Sequence, residues 1–75
     1  MNLNDVKLNT DCIIKSVEIH NEKTKIRLME LGLIEGCVVR VNKKSALKKT
    51  LLIIFNSTCF TLKNNLASEI VVQYA

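Results

Sequence analysis

A mainly β fold is predicted by three features of the sequence: a small, strongly bent barrel of about five strands with one short α-helix between the first and second. Five short runs of β-branched and aromatic residues recur along the chain, separated by polar or glycine-containing turns. One stretch rich in Lys, Arg, Leu, Met and Glu interrupts them after the first run. The chain has 75 residues, 48% of them hydrophobic, enough for one compact core and too little for two. Residues 1–75 therefore read as a single domain.

Cys12 to Ile19 carries β-branched side chains at Ile13, Ile14, Val17 and Ile19 and reads as the first strand. The period then changes. Glu22 to Leu31 contains no glycine and consists mostly of good helix formers. Asn21 is placed to cap its first turn through a side-chain oxygen, and Gly32 to end it in the left-handed conformation. At about 100° per residue, Thr24, Leu28 and Leu31 cluster on one side of this helix. Leu28 and Leu31 are thus expected to dock it on the barrel, with Leu33 returning the chain to the core and Gly36 opening the next strand. That strand, Cys37-Val38-Val39-Arg40-Val41, fades into Asn42-Lys43-Lys44, and a polar connection from Ser45 to Lys49 leads to a third strand, Thr50 to Phe55. Asn56-Ser57 suits a two-residue hairpin turn, because Asn tolerates positive φ. Thr58 to Leu62 alternates as the return strand, Lys63 to Asn65 turns, Leu66 to Ser68 makes one helical turn, and Glu69 to Tyr74 closes the fold. A barrel would also remove exposed strand edges.

Composition excludes several classes. The longest pure apolar run, Leu51 to Phe55, falls far short of the ~20 residues that span a bilayer as a helix. The polar, alternating start has no hydrophobic segment of the secretory kind. Three widely spaced cysteines, Cys12, Cys37 and Cys59, do not form the even, dense framework of a small secreted domain. The cytoplasm is the expected compartment, and each thiol, in an apolar strand, is expected to act as a small core hydrophobe. His20 is the only histidine and there are two glycines, so any Cys-His or Ser-His pair must use that one residue and no Gly-rich phosphate loop exists. No catalytic residue, metal ligand or cofactor is assigned. The sequence reads as a binding or accessory module and not as an enzyme.

The segment Arg27-Leu28-Met29-Glu30-Leu31-Gly32-Leu33-Ile34-Glu35-Gly36 resembles the Arg-Leu-x-x-Leu-Gly-Leu-x-x-Gly signature of the FeoA family. The order of strands, helix and closing Ile-Val-Val strand is similar as well, so the resemblance covers about Leu3 to Val72. It implies a small SH3-like β-barrel, and an accessory role in bacterial ferrous iron transport beside transition-metal chemistry at the family level. The implied partner is the membrane ferrous iron transporter with its cytosolic GTP-binding domain, met through helix and loop surfaces. A similar domain ends iron-dependent repressors; with no DNA-binding segment before it here, the free-standing form fits better and no DNA partner is expected. Ala46-Leu47-Lys48-Lys49-Thr50 and Asn56-Ser57 stand where family members often carry a Gly-Asp-Pro-like turn and a hairpin glycine.

Two surfaces are candidate partner sites. Ile26 and Met29 share an outward side of the helix among Lys23, Lys25, Arg27 and Glu30, and methionine adapts well to an irregular partner. Lys43, Lys44, Lys48 and Lys49 place four charges in seven residues, suited to phosphates, an acidic protein face or peripheral contact with anionic lipid at the inner face of the membrane. The alternative function is a small basic barrel binding RNA or other polyanions through that lysine-rich loop. Base stacking has little support, since the aromatics are Phe55, Phe60 and Tyr74 and none interleaves with the lysines. Self-association through an apolar strand edge is the remaining binding mode.

Overall fold

Seven elements follow one another in the computed structural model, which describes residues 1–75: β1 (Cys12–Val17), α1 (Glu22–Glu30), β2 (Val38–Ser45), β3 (Thr50–Phe55), β4 (Thr58–Lys63), α2 (Asn64–Ala67) and β5 (Ile70–Tyr74). The strands form one antiparallel sheet in the order β4-β3-β2-β1-β5. The class is the expected one, mainly β with a helix between the first two strands. β1 stops at Val17, although Ile19 beyond it stays buried. β2 runs on to Ser45 because Lys43 and Lys44 still pair with Leu52 and Leu51.

The bend comes from two irregularities in register, between Ile14 and Ser16 on β1 and between Val41 and Lys43 on β2. An extra residue on one strand kinks it and increases its twist. β2 lies at the fold of the sheet: Val38 and Val39 pair with β1, whereas Arg40, Val41 and Lys43 to Ser45 pair with β3. The sheet does not close, which corrects the expectation of an edge-free barrel. β4 and β5 remain edges, and the N-terminal segment lies along β5 instead of a further strand. Asn2 bridges Val71, and the Val72 N–H donates to the Met1 carbonyl at 2.9 Å.

Sixteen buried residues, all hydrophobic, make one core. β3 reads as a continuous apolar run yet alternates in space, with Leu51, Ile53 and Phe55 buried and Leu52 and Ile54 half-buried. The Phe55 and Phe60 rings meet edge to face, with centroids 5.4 Å apart. Leu3 and Val6, at 0% and 1% exposure, belong to the same core and were not expected in it.

α1 begins and ends on its caps. The Asn21 side chain accepts from the Thr24 N–H at 3.1 Å. At the other end the Gly32 N–H donates to Met29 O and the Leu33 N–H to Leu28 O, both at 3.0 Å, the paired bonds of a glycine C-terminal cap. That cap needs positive φ, and Gly32 has φ +97°. It turns Leu33 into the core at 0% exposure. Leu31 corrects the expected docking pair: it is 53% exposed, whereas Leu28 is 6% exposed. The helix stops at Glu30, so Leu31 occupies the cap position on the flank and its neighbour Leu33 takes the inward place. The β3–β4 hairpin turns through Asn56 and Ser57, both with positive φ (49° and 60°), as a two-residue turn requires.

Candidate functional site

Only Leu28 of α1 is buried, which leaves most of the helix surface free. Ile26 and Met29 are each 50% exposed and project on adjoining flanks. Met29 enters a shallow groove with Val17 and Ile34, rimmed by Ser16, Lys25 and Glu35. Ile26 lies across the crest beside Lys23, Arg27 and Glu30. Ile34, about half exposed, extends this apolar surface beyond the helix, whereas Leu31, also half exposed, lies on the Leu28 side of it. Neither was foreseen as a surface residue. Ile34 carried a signal: it is held between the turn glycines Gly32 and Gly36, directly after the inward-facing Leu33, so alternation sends it outward.

The lysines divide. Lys43 and Lys48 border a depression with Ser45, Thr50, Leu52 and Thr61, and Lys48 and Lys49 border a second with Lys63, Asn64 and Asn65. Lys63 escaped the sequence reading because it is remote along the chain; the Thr50–Lys63 pairing of β3 and β4 brings it there. Lys44 is engaged inside the molecule instead. Its Nζ donates to the Asn4 and Val6 carbonyls at 2.9 and 2.8 Å, tying the N-terminal segment to β2. Bonds from a charged donor contribute about 1.5–3 kcal/mol net where they are well buried, and less at a partly exposed site such as this one. Lys44→Met, which keeps the stem, is expected to lower stability by roughly 1–2 kcal/mol in urea unfolding, while Lys48→Met changes it by less than about 0.5.

The FeoA domain profile matches residues 1–74. The chain belongs to the FeoA family. The FeoA protein of Chlorobium tepidum shares its fold with a TM-score of 0.89 and 27% identity, the alignment covering 99% of this chain and 70% of that one. The FeoA of Stenotrophomonas maltophilia, complexed with zinc and described as a prokaryotic SH3 domain protein, aligns with a TM-score of 0.82 and 32% identity over 97% of this chain and 89% of that one. ScaR with bound cadmium aligns with a TM-score of 0.83 and 20% identity over 97% of this chain and 35% of that one, a likeness of fold alone. No curated protein sequence matches the chain. FeoA membership carries an association with ferrous iron transport, and the SH3-like fold is suited to protein interaction.

In this FeoA-family chain the chemically active side chains are dispersed. Glu18, His20, Glu22 and Glu69 border one open depression with Lys25, where the His20 backbone N–H donates to Glu69 Oε2 at 3.2 Å. No group of three or more His, Cys, Asp or Glu side chains converges to hold a metal ion. The cysteines differ from one another, which corrects the reading of all three as core residues. Cys12 is buried and Cys37 half-buried against the core, whereas Cys59 is exposed. β4 turns Phe60 and Leu62 toward the core, so Cys59 falls on the outer face. Burial pushes the Cys12 and Cys37 thiols up in pKa, with the Asp11 charge adding to the effect at Cys12 and a backbone hydrogen bond from Ile34 opposing it at Cys37. Both therefore stay in the less nucleophilic thiol form at neutral pH. No helix is long and apolar enough to cross a membrane.

Proposed function

We propose that this chain is a non-catalytic, cytoplasmic accessory of ferrous iron transport that docks on the cytosolic part of the GTP-binding membrane transporter. The observation that carries the reading is the apolar surface of α1 and the turn after it. Met29, Ile34 and Val17 form a groove, Ile26 lies beside it, and Lys25, Arg27, Glu30 and Glu35 frame them. Clustered apolar side chains within a charged rim are the composition of a protein contact. A groove lined by a flexible methionine can also adapt to its partner. Docking there would alter the assembly or gating of the transporter without any chemistry on the accessory itself.

The test is binding of the transporter's isolated cytosolic GTP-binding domain to wild type, Ile26→Asp and Met29→Asp. Both positions are half exposed, so the fold is expected to hold, with unfolding midpoints close to wild type. Placing an uncompensated carboxylate in a buried apolar contact costs about 2 kcal/mol or more, so affinity is expected to drop at least roughly thirtyfold. Equal affinity of folded variants and wild type would remove α1 from the contact.

A further inference from the structure

The connection between β2 and β3 carries a pairing of features that the helix-face reading does not use. Leu47 is 96% exposed, while the other exposed large hydrophobics lie between 41% and 53%. It sits at the apex of a built turn: the Lys48 N–H donates to Ser45 Oγ at 3.3 Å, and Lys49, at φ +54°, redirects the chain into β3. Around this apex stand Lys43, Lys48, Lys49 and, across the sheet, Lys63, and no carboxylate borders either depression that they line. The protein thus presents one fully exposed aliphatic side chain at the tip of a hairpin whose flanking depressions are bordered by four lysines.

We propose that this hairpin tip is a membrane-contact site, in which Leu47 enters the headgroup boundary of an anionic bilayer and the four lysines pair with lipid phosphates. A lipid surface uses both features together. An interfacial anchor gains from an apolar group inserted a few ångströms and from cations held at headgroup level. RNA held through its phosphates would use the lysines alone, and the tip offers no aromatic ring for a base. Placement supports the same occupant. The cap of α1 lies against the far end of β3, with Gly32 beside the Phe55 ring and the Asn56 side chain. Leu47 precedes the near end of that strand, and six residues at ~3.3 Å each separate the two ends by about 17 Å. A bilayer at the tip therefore leaves α1 free. Contact through one leucine and four lysines is weak and reversible, of the sort that raises local concentration near a membrane without anchoring the protein.

The test uses a property of the sequence: the chain has no tryptophan, so Leu47→Trp supplies a sole indole at the tip. With vesicles of phosphatidylglycerol and phosphatidylcholine its emission is expected to shift to the blue, and with phosphatidylcholine alone to stay unchanged. In cosedimentation of the otherwise native chain, Leu47→Asp is expected to lower the bound fraction severalfold, and Lys48→Glu with Lys49→Glu to lower affinity more than tenfold, each lysine contributing about a fivefold change. Raising salt releases the protein as the charges are screened. An unshifted indole on anionic vesicles overturns the proposal, as does equal binding to neutral ones. Binding to polyuridylate that needs the lysines but not Leu47, with no indole shift on vesicles, makes the tip a polyanion site and overturns it as well. Because the proposal rests on the hairpin alone, its failure leaves the α1 docking test unaffected.

Discussion

Leu3→Ala is expected to destabilise the domain by about 3 kcal/mol or more, lowering the thermal midpoint by roughly 12–24 °C. Leu3 is fully buried, so truncation removes its transfer free energy and leaves a cavity in a core of only sixteen residues. The loss propagates, because Leu3 and Val6 are the apolar anchors of the N-terminal segment. Everything else holding that segment is polar and near the surface: Val72 N–H to Met1 O, Lys44 Nζ to Asn4 O and Val6 O, Asn4 Nδ2 to Asn64 O, Lys7 N–H to the Tyr74 hydroxyl, Asn9 N–H to Val41 O and Asn42 Nδ2 to Asn9 Oδ1. With Leu3 shortened, those bonds compete with water, and the side of β5 that the segment covers opens. A chain this small starts from ~5 kcal/mol of stability, so the variant is close to unfolded at physiological temperature. Leu8→Ala provides the comparison, since Leu8 is 47% exposed and its loss is expected to move the midpoint by only a few degrees. Thermal unfolding followed by circular dichroism reads both. Equal midpoints for the two variants would mean that the N-terminal segment is not part of the core.

That segment marks where the sequence stopped being informative. Met1-Asn2-Leu3-Asn4-Asp5-Val6-Lys7 has the alternation of a surface lead-in, and its two inward residues are spaced by three, a pattern too short to assign to any element. Its burial depends on Lys44 and on the bent β2, which lie some forty residues away. The strands, by contrast, were legible because each is a local run of β-branched residues, and Gly32 was legible because the helix has no other way to stop. Lys63 and the open sheet depended on pairing partners that local pattern does not reveal. The site was legible by half. Ile26 and Met29 followed from helical spacing, whereas Leu31 was placed inward by the same spacing because a short helix can end before its last apolar residue contributes to the core.

Leu28→Ala is expected to loosen α1 as a unit, and Leu31→Ala to leave it in place. Leu28 is the sole buried residue of a nine-residue helix. A helix that short does not persist in water by propensity alone, so tertiary packing must hold it. Its caps satisfy its ends, but the Asn21 bond and the Gly32 turn fix local geometry without attaching the helix to the sheet. Removing three carbons of Leu28 is therefore expected to cost about 2–4 kcal/mol, part of it appearing as faster amide exchange in Glu22 to Glu30 before the strands open. Leu31→Ala, at a half-exposed cap position, is expected to change stability by less than about 1 kcal/mol. The two variants separate packing from docking. Leu28→Ala should lower affinity for the transporter's cytosolic domain while Ile26 and Met29 are intact, because a frayed helix must be reordered on binding at an entropic cost. Leu31→Ala, on the side of the helix away from Ile26 and Met29, should leave affinity close to wild type. Comparable amide exchange in the two variants would show that Leu31 shares the anchoring, and the outward face assigned to Ile26 and Met29 would then have to rotate with it.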